Sequence, residues 1–104
     1  MKIQVNTDKH IEGGQRLENF LNEKLHAALD RFSDKLTRIE VHLSDQNGAK
    51  SGADDLQCIL EARLEGMQPI TVTNRGGEMD GTINGAIDKM KSALDTTLGK
   101  LRAH

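Results

Sequence analysis

Histidine, cysteine and adjacent carboxylates are the side chains of this 104-residue chain best equipped for chemistry, and their spacing gives catalysis no positive support. The histidines stand at 10, 26, 42 and 104, so no two share a helical face at a spacing of four, and Cys58 has no second cysteine with which to hold zinc. No Ser-His-Asp or Cys-His set can be placed without arbitrary choices. Asp54 and Asp55 form the one adjacent carboxylate pair; on a loop rich in Gly and Ser they read as solvated rather than as an acid–base pair. His42 reads as a solvated side chain on an open sheet face, and Cys58 as a buried, inert thiol. The expectation is a non-enzyme with no catalytic residue, metal, cofactor or small-molecule substrate.

The cations say more. Asn74-Arg75-Gly76-Gly77 lies where a strand gives way to a helix, a place where backbone N–H groups can hold a phosphate. It lacks the Gly-Lys-Ser/Thr ending of a P-loop, and Glu78 and Asp80 already occupy the first helical turn. It reads as a structural turn, with Arg75 left able to touch an RNA backbone. Lys24, Arg31 and Lys35 fall within about 40° of one another on a helical wheel. In the second helix Lys89 and Lys100 share one flank, and Lys91 and Arg102 the other. Residues 86–104 hold four bases against two acids, in a chain whose formal charge is −2. Such cations either border a buried stripe with their stems or form an RNA surface across two helices.

The elements that position them follow from periodicity. Lys2–Asn6 alternates polar and apolar, as a half-buried strand does. Leu17, Phe20, Leu21, Leu25, Ala28, Leu29 and Phe32 recur at three and four, predicting a helix from Glu12 or Gln15 to Phe32. Strands follow around Ile39–Leu43, Leu56–Leu64 and Pro69–Thr73, with a long hairpin loop at Asp45–Asp55 and a short turn at Gly66–Gln68. Met79, Ile83, Ala86, Ile87, Met90, Leu94, Leu98 and Leu101 form a second stripe, on a helix about 36 Å long. The order β-α-β-β-β-α predicts an α+β two-layer sandwich: a four-stranded sheet with two helices on one face and water on the other. Strand one then runs parallel to a neighbour through a right-handed crossover.

Length and composition set the limits. One domain spanning residues 1–104 is expected, and no stretch approaches the ~18 apolar residues that span a bilayer. The absence of a signal-peptide pattern and the single cysteine make the cytoplasm the expected location and a membrane partner unexpected. The slightly acidic balance opposes generic nucleic-acid binding, and the open sheet face has no aromatic residue on which bases could stack.

Several runs, in this order, resemble the ribosome hibernation-promoting factors, a family that includes the ribosome-associated inhibitor A proteins once labelled sigma-factor modulation proteins. The opening run is Lys9-His10-Ile11-Glu12, followed by Leu17-x-x-Phe20-x-x-x-Lys24-Leu25-x-x-x-Leu29-x-x-Phe32. The later run is Glu78-Met79-x-x-x-Ile83-Asn84-x-Ala86-Ile87-Asp88-Lys89-Met90. The resemblance covers nearly the whole chain and implies a fold similar to that of double-stranded RNA-binding domains. It implies a cytoplasmic translation inhibitor that binds the small ribosomal subunit (16S rRNA) and the 70S ribosome; the oligomeric state stays open, with a monomer favoured. The protein would sit in the mRNA/tRNA channel and keep ribosomes inactive under stress or in stationary phase.

Carried over to this chain, the rRNA contacts are Lys24, Lys89, Lys100 and Arg102, with Arg31, Lys35, Arg75 and Lys91 as additions. The ending straight after helix two resembles the family's short form. Three features depart from the family pattern. Ser92, Asp95, Thr96 and Thr97 stand where a denser basic row is usual, Asp80 replaces an aromatic, and Gly13 or Gly14 replaces a Thr cap. These departures imply weaker RNA affinity and leave open a divergent acidic paralogue acting as a protein-interaction module without ribosome binding.

Overall fold

The computed structural model describes residues 1–46 and 55–102, the side chains of 100–102 excepted. Most of the expected hairpin loop, with Asp54, and also His104 lie outside the described residues. The elements are β1 (Lys2–Thr7), α1 (Gln15–Leu29), a 3-10 turn (Asp30–Phe32), β2 (Leu36–Asp45), β3 (Leu56–Leu64), β4 (Ile70–Gly76) and α2 (Met79–Arg102). The sheet order is β1-β2-β3-β4. β1 pairs in parallel with β2, and β2, β3 and β4 form an antiparallel meander.

Alternation sorts the strand residues onto two faces. Register aligns Val5, Val41, Leu60 and Val72 in one inner row, and Ile3, Ile39, Ala62 and Ile70 in the next. Residues of the central strands in these rows (Ile39, Val41, Leu60, Ala62) are fully buried, whereas Ile3, Val5, Ile70 and Val72 on the outer strands are partly buried. α2 packs on β3 and β4 and beside α1, and the buried residues of α1 join one core cluster with the inner face of the sheet. Leu21, Leu25 and Leu29 of α1, with Ile83, Met90 and Leu94 of α2, complete the core.

Two boundaries differ from expectation. β4 continues through Asn74, Arg75 and Gly76, which pair with Cys58, Gln57 and Leu56, so the expected turn at Asn74–Gly77 is mostly strand. Asn74 and Gly76 are turn formers by propensity, but the inner face uses their small size. Asn74 Nδ2 donates to the Thr82 carbonyl at 3.1 Å, and Gly76 lies directly beneath the Thr82 side chain. Thr82, the buried polar residue among those described, satisfies its hydroxyl by donating to the Glu78 carbonyl at 2.6 Å. Strand and helix thus meet at close range over Asn74, Gly76, Thr82 and Gly85.

The second difference is at the end of α1. The helix stops at Leu29, tightens to a 3-10 turn that buries Phe32, and then turns into β2. A tighter turn moves each residue further around the axis. Arg31 and Lys35 therefore leave the helical row that they were expected to share with Lys24. At the other end Gly14 precedes α1 with φ +118°, a conformation that L side chains rarely adopt, which explains glycine at this cap.

The loop from β1 to α1 is tied down rather than simply polar. The Asp8 carboxylate accepts from the backbone N–H of His10 at 2.9 Å and of Asp45 at 3.1 Å, and Ile11 is buried beneath the loop. Desolvation alone would raise the Asp8 pKa, but these hydrogen bonds and the nearby His10 outweigh it and lower the value.

Candidate nucleic-acid interface

Of the eight cations expected to contact RNA, the structure brings two into direct opposition. Lys24 of α1 and Lys91 of α2 line a shallow groove between the helices, floored by Ala27, Ala28 and Ile87. Small alanines on α1 let the helices approach, and both lysines are partly buried along their stems, with Lys24 Nζ 5.6 Å from the centre of the Phe20 ring. Asn84 and Asp88 share the groove. Its charged lining is thus two ammoniums against one carboxylate.

Arg31 lies near the same face but is already engaged. Its guanidinium pairs with Asp95 of α2 at 2.9 Å and stacks 4.2 Å from the Phe32 ring centre. Both members of that pair are more than half exposed, so it contributes only about 0–1 kcal/mol, and a phosphate can compete for the arginine. Lys35 is exposed in the turn before β2. Lys100 and Arg102 ride on the last turn of α2, and their side chains lie outside the described residues.

The remaining two point elsewhere. Lys91 faces α1, and Lys89, two residues earlier, is about 200° around the helix on the flank beyond β4. There its Nζ donates to the Thr73 carbonyl at 2.8 Å. Arg75 falls on the opposite side of the molecule: it pairs in register with Gln57 on the outer face of the sheet, away from both helices. Sequence position suggested a strand-to-helix turn, but continuation of β4 carries Arg75 into strand alternation instead.

The outer sheet face neutralises its own charge. Lys2, Arg38 and Arg63 align in one lateral row, next to a row containing Gln4, Glu40 and Glu61. Arg38 pairs with Glu40 at 2.9 Å and hydrogen-bonds Gln4, while Arg63 meets Glu61 at 3.3 Å and Glu40 at 4.0 Å. A hydrogen bond with Glu61, opposed by partial desolvation and reinforced by the charges of Arg38 and Arg63, lowers the Glu40 pKa. A second depression, between the starts of the helices, sets Glu12 and Asp80 against Arg16, an unfavourable balance for phosphate.

Nothing among the described residues assembles a metal site. Burial pushes the Cys58 thiol up to about 12, so it stays protonated and unreactive. No helix among the described residues is long and apolar enough to cross a membrane.

A family model described as sigma 54 modulation protein / S30EA ribosomal protein matches residues 3–102. The chain belongs to this family. The S30EA family comprises ribosome-associated modulation proteins, as its resemblance to the hibernation factors implied. No individual curated protein matches the chain. Among solved structures it is similar to the N-terminal domain of Thermus thermophilus Protein Y, with a TM-score of 0.73 and 21% identity over 93% of this chain and 99% of that one. It is also similar to a ribosomal subunit interface protein from Coxiella burnetii, with a TM-score of 0.67 and 21% identity over the whole of both chains. At that identity the two structures establish a shared β-α-β-β-β-α fold.

The sequence reading of this S30EA chain missed three features: the Arg31–Asp95 pair, the Lys89 contact at β4, and the anchoring of Asp8. The first two join residues far apart in sequence, and no local pattern marks them. Asp8 did carry a signal, since an aspartate two residues before a backbone N–H in a loop is a common turn former.

Proposed function

We propose that this protein is a cytoplasmic, single-domain ribosome-binding inhibitor of translation that acts by occupying space. It performs no chemistry. The α1–α2 face meets 16S rRNA in the mRNA/tRNA channel of the small subunit, and the bound protein holds 70S ribosomes idle under stress or in stationary phase. The match of the S30EA family model to residues 3–102 carries this reading. Lys24 and Lys91 form the centre of the contact, and Arg31 and Arg102, the latter on the same helical flank as Lys91, extend it. Lys35 contributes at the margin.

Binding rests on few phosphates. Each contact adds about 0.7–0.9 to the slope of log K against log salt, so a patch of three to five cations gives a slope of roughly −2 to −4.5. The experiment is sedimentation of purified protein with 30S and 70S particles over a range of salt. Co-sedimentation with 30S that weakens along such a slope supports the proposal. Protein remaining at the top of the gradient at low salt overturns it.

The pairing of Arg31 with Asp95, and the presence of Asp88 beside Lys91, favour a second reading. Here the fold is retained as a protein-interaction module and RNA affinity is lost. Recovery of one stoichiometric protein partner without ribosomal RNA in a pull-down distinguishes it from the first.

A further inference from the structure

Among the described residues β4 has β3 on one side and no strand on the other. Such an edge is a template for strand addition, and proteins blunt it with charge, proline or short length. The charge within β4 is confined to Arg75 near its end, and the run before it offers little of this protection. From Gln68 to Asn74 no residue is charged, and Ile70, Thr71, Val72 and Thr73 are all β-branched, a composition that favours added strands. Pro69 precedes the strand and protects only its start.

The missing charge is supplied from α2. Lys89 stands on the flank of the helix beyond β4, and its Nζ donates to the carbonyl of Thr73 at 2.8 Å, near the end of the uncharged run. We propose that Lys89 is an edge guard that prevents β4 from pairing with β4 of a second copy of this chain.

A second copy is the partner that the geometry both invites and repels. Two β4 edges brought together antiparallel about a two-fold axis set threonines beside threonines on the outer face, and Ile70 and Val72 beside their counterparts on the inner face. Both layers would continue unbroken across the join, because the polar and apolar faces match themselves. The same axis brings two Lys89 ammoniums into one gap, each committed to a backbone carbonyl that the new pairing approaches. A strand from an unrelated protein meets one such charge; a second copy meets its own and brings another. The guard is therefore strongest against self-association.

The test is sedimentation equilibrium of the purified chain over a hundredfold concentration range, with circular dichroism confirming that each variant is folded. The wild type is expected to remain monomeric. Lys89→Ala should dimerise at least tenfold more tightly, and Lys91→Ala, which removes a cation from the other flank of α2, should behave as wild type. Adding Thr71→Lys to Lys89→Ala returns a charge to the strand itself and should restore the monomer. A monomeric Lys89→Ala over the whole range overturns the proposal. So does a wild-type dimer, a Lys91→Ala chain that dimerises as tightly, or a Lys89→Ala dimer indifferent to Thr71→Lys.

Discussion

Gly85→Ala tests the close approach of α2 to β4 with a single methyl group. Inside a helix, alanine in place of glycine is worth about 1 kcal/mol of stability. At Gly85, however, the new methyl would lie 2.9 Å from Asn74 Cγ and closer still to Asn74 Nδ2, the atom that donates to the Thr82 carbonyl. Asn74 must swing away, which forfeits a hydrogen bond worth about 1 kcal/mol and overpacks the joint by about 1–3 kcal/mol. Set against the helical gain, the net effect is a loss of about 1–3 kcal/mol. For a domain near 100 residues this lowers Tm by roughly 5–20 °C.

Gly81 and Gly99 lie in the same helix with no heavy atom within 4 Å of an added methyl, so alanine there should raise Tm, by up to about 1 kcal/mol of stability. Thermal melts of the three variants make the comparison, and Asn74→Ala combined with Gly85→Ala isolates the clash. In that background the new methyl has room, and a coupling energy of about 1–3 kcal/mol should appear. A Gly85→Ala chain that melts as high as Gly81→Ala would refute the reasoning.

Three further outcomes are expected. Replacing both Lys24 and Lys91 by alanine should flatten the salt slope of ribosome binding by about 1.4–1.8, measured by pelleting with 30S subunits; an unchanged slope excludes the groove as a phosphate contact. The Asp8 carboxyl titrates below its ordinary value in the folded chain, so its contribution to stability is present above about pH 4 and lost as pH falls through the folded pKa. Urea midpoints of wild type and Asp8→Ala should therefore converge as pH falls below about 4, and a constant gap counts against the anchoring role. The Cys58 thiol, pushed up to about 12, should resist alkylation at pH 8 in native buffer and react only as fast as the chain opens, as mass spectrometry over time would show.

Strand alternation and the two helical stripes made the architecture legible before any coordinates, because burial on one face imposes a period that survives in composition. Ile39, Val41, Cys58 and Leu60 fall inward as their spacing requires. Legibility failed where a residue's use depends on a distant neighbour. Asn74 and Gly76 look like turn residues until α2 lies on them, and only then is their small size a packing requirement. The same holds for the cations. A helical wheel can place Lys89 and Lys91 on opposite flanks, but it cannot say that one flank meets α1 and the other the rim of the sheet. Nor does it register Asp95, whose pairing with Arg31 depends on how the helices lie together.

The parallel pairing of β1 with β2 has a consequence for the nascent protein. Synthesis delivers Lys2–Thr7 first, yet its strand partner among the described residues, Leu36–Asp45, begins after 28 intervening residues. At ribosomal speeds of about 5–20 residues per second, the earliest strand waits roughly 2–8 seconds before that partner has been made. During that pause Ile3 and Val5 have no apolar layer to enter, and a chaperone that shields short hydrophobic segments has its best opportunity to engage the chain.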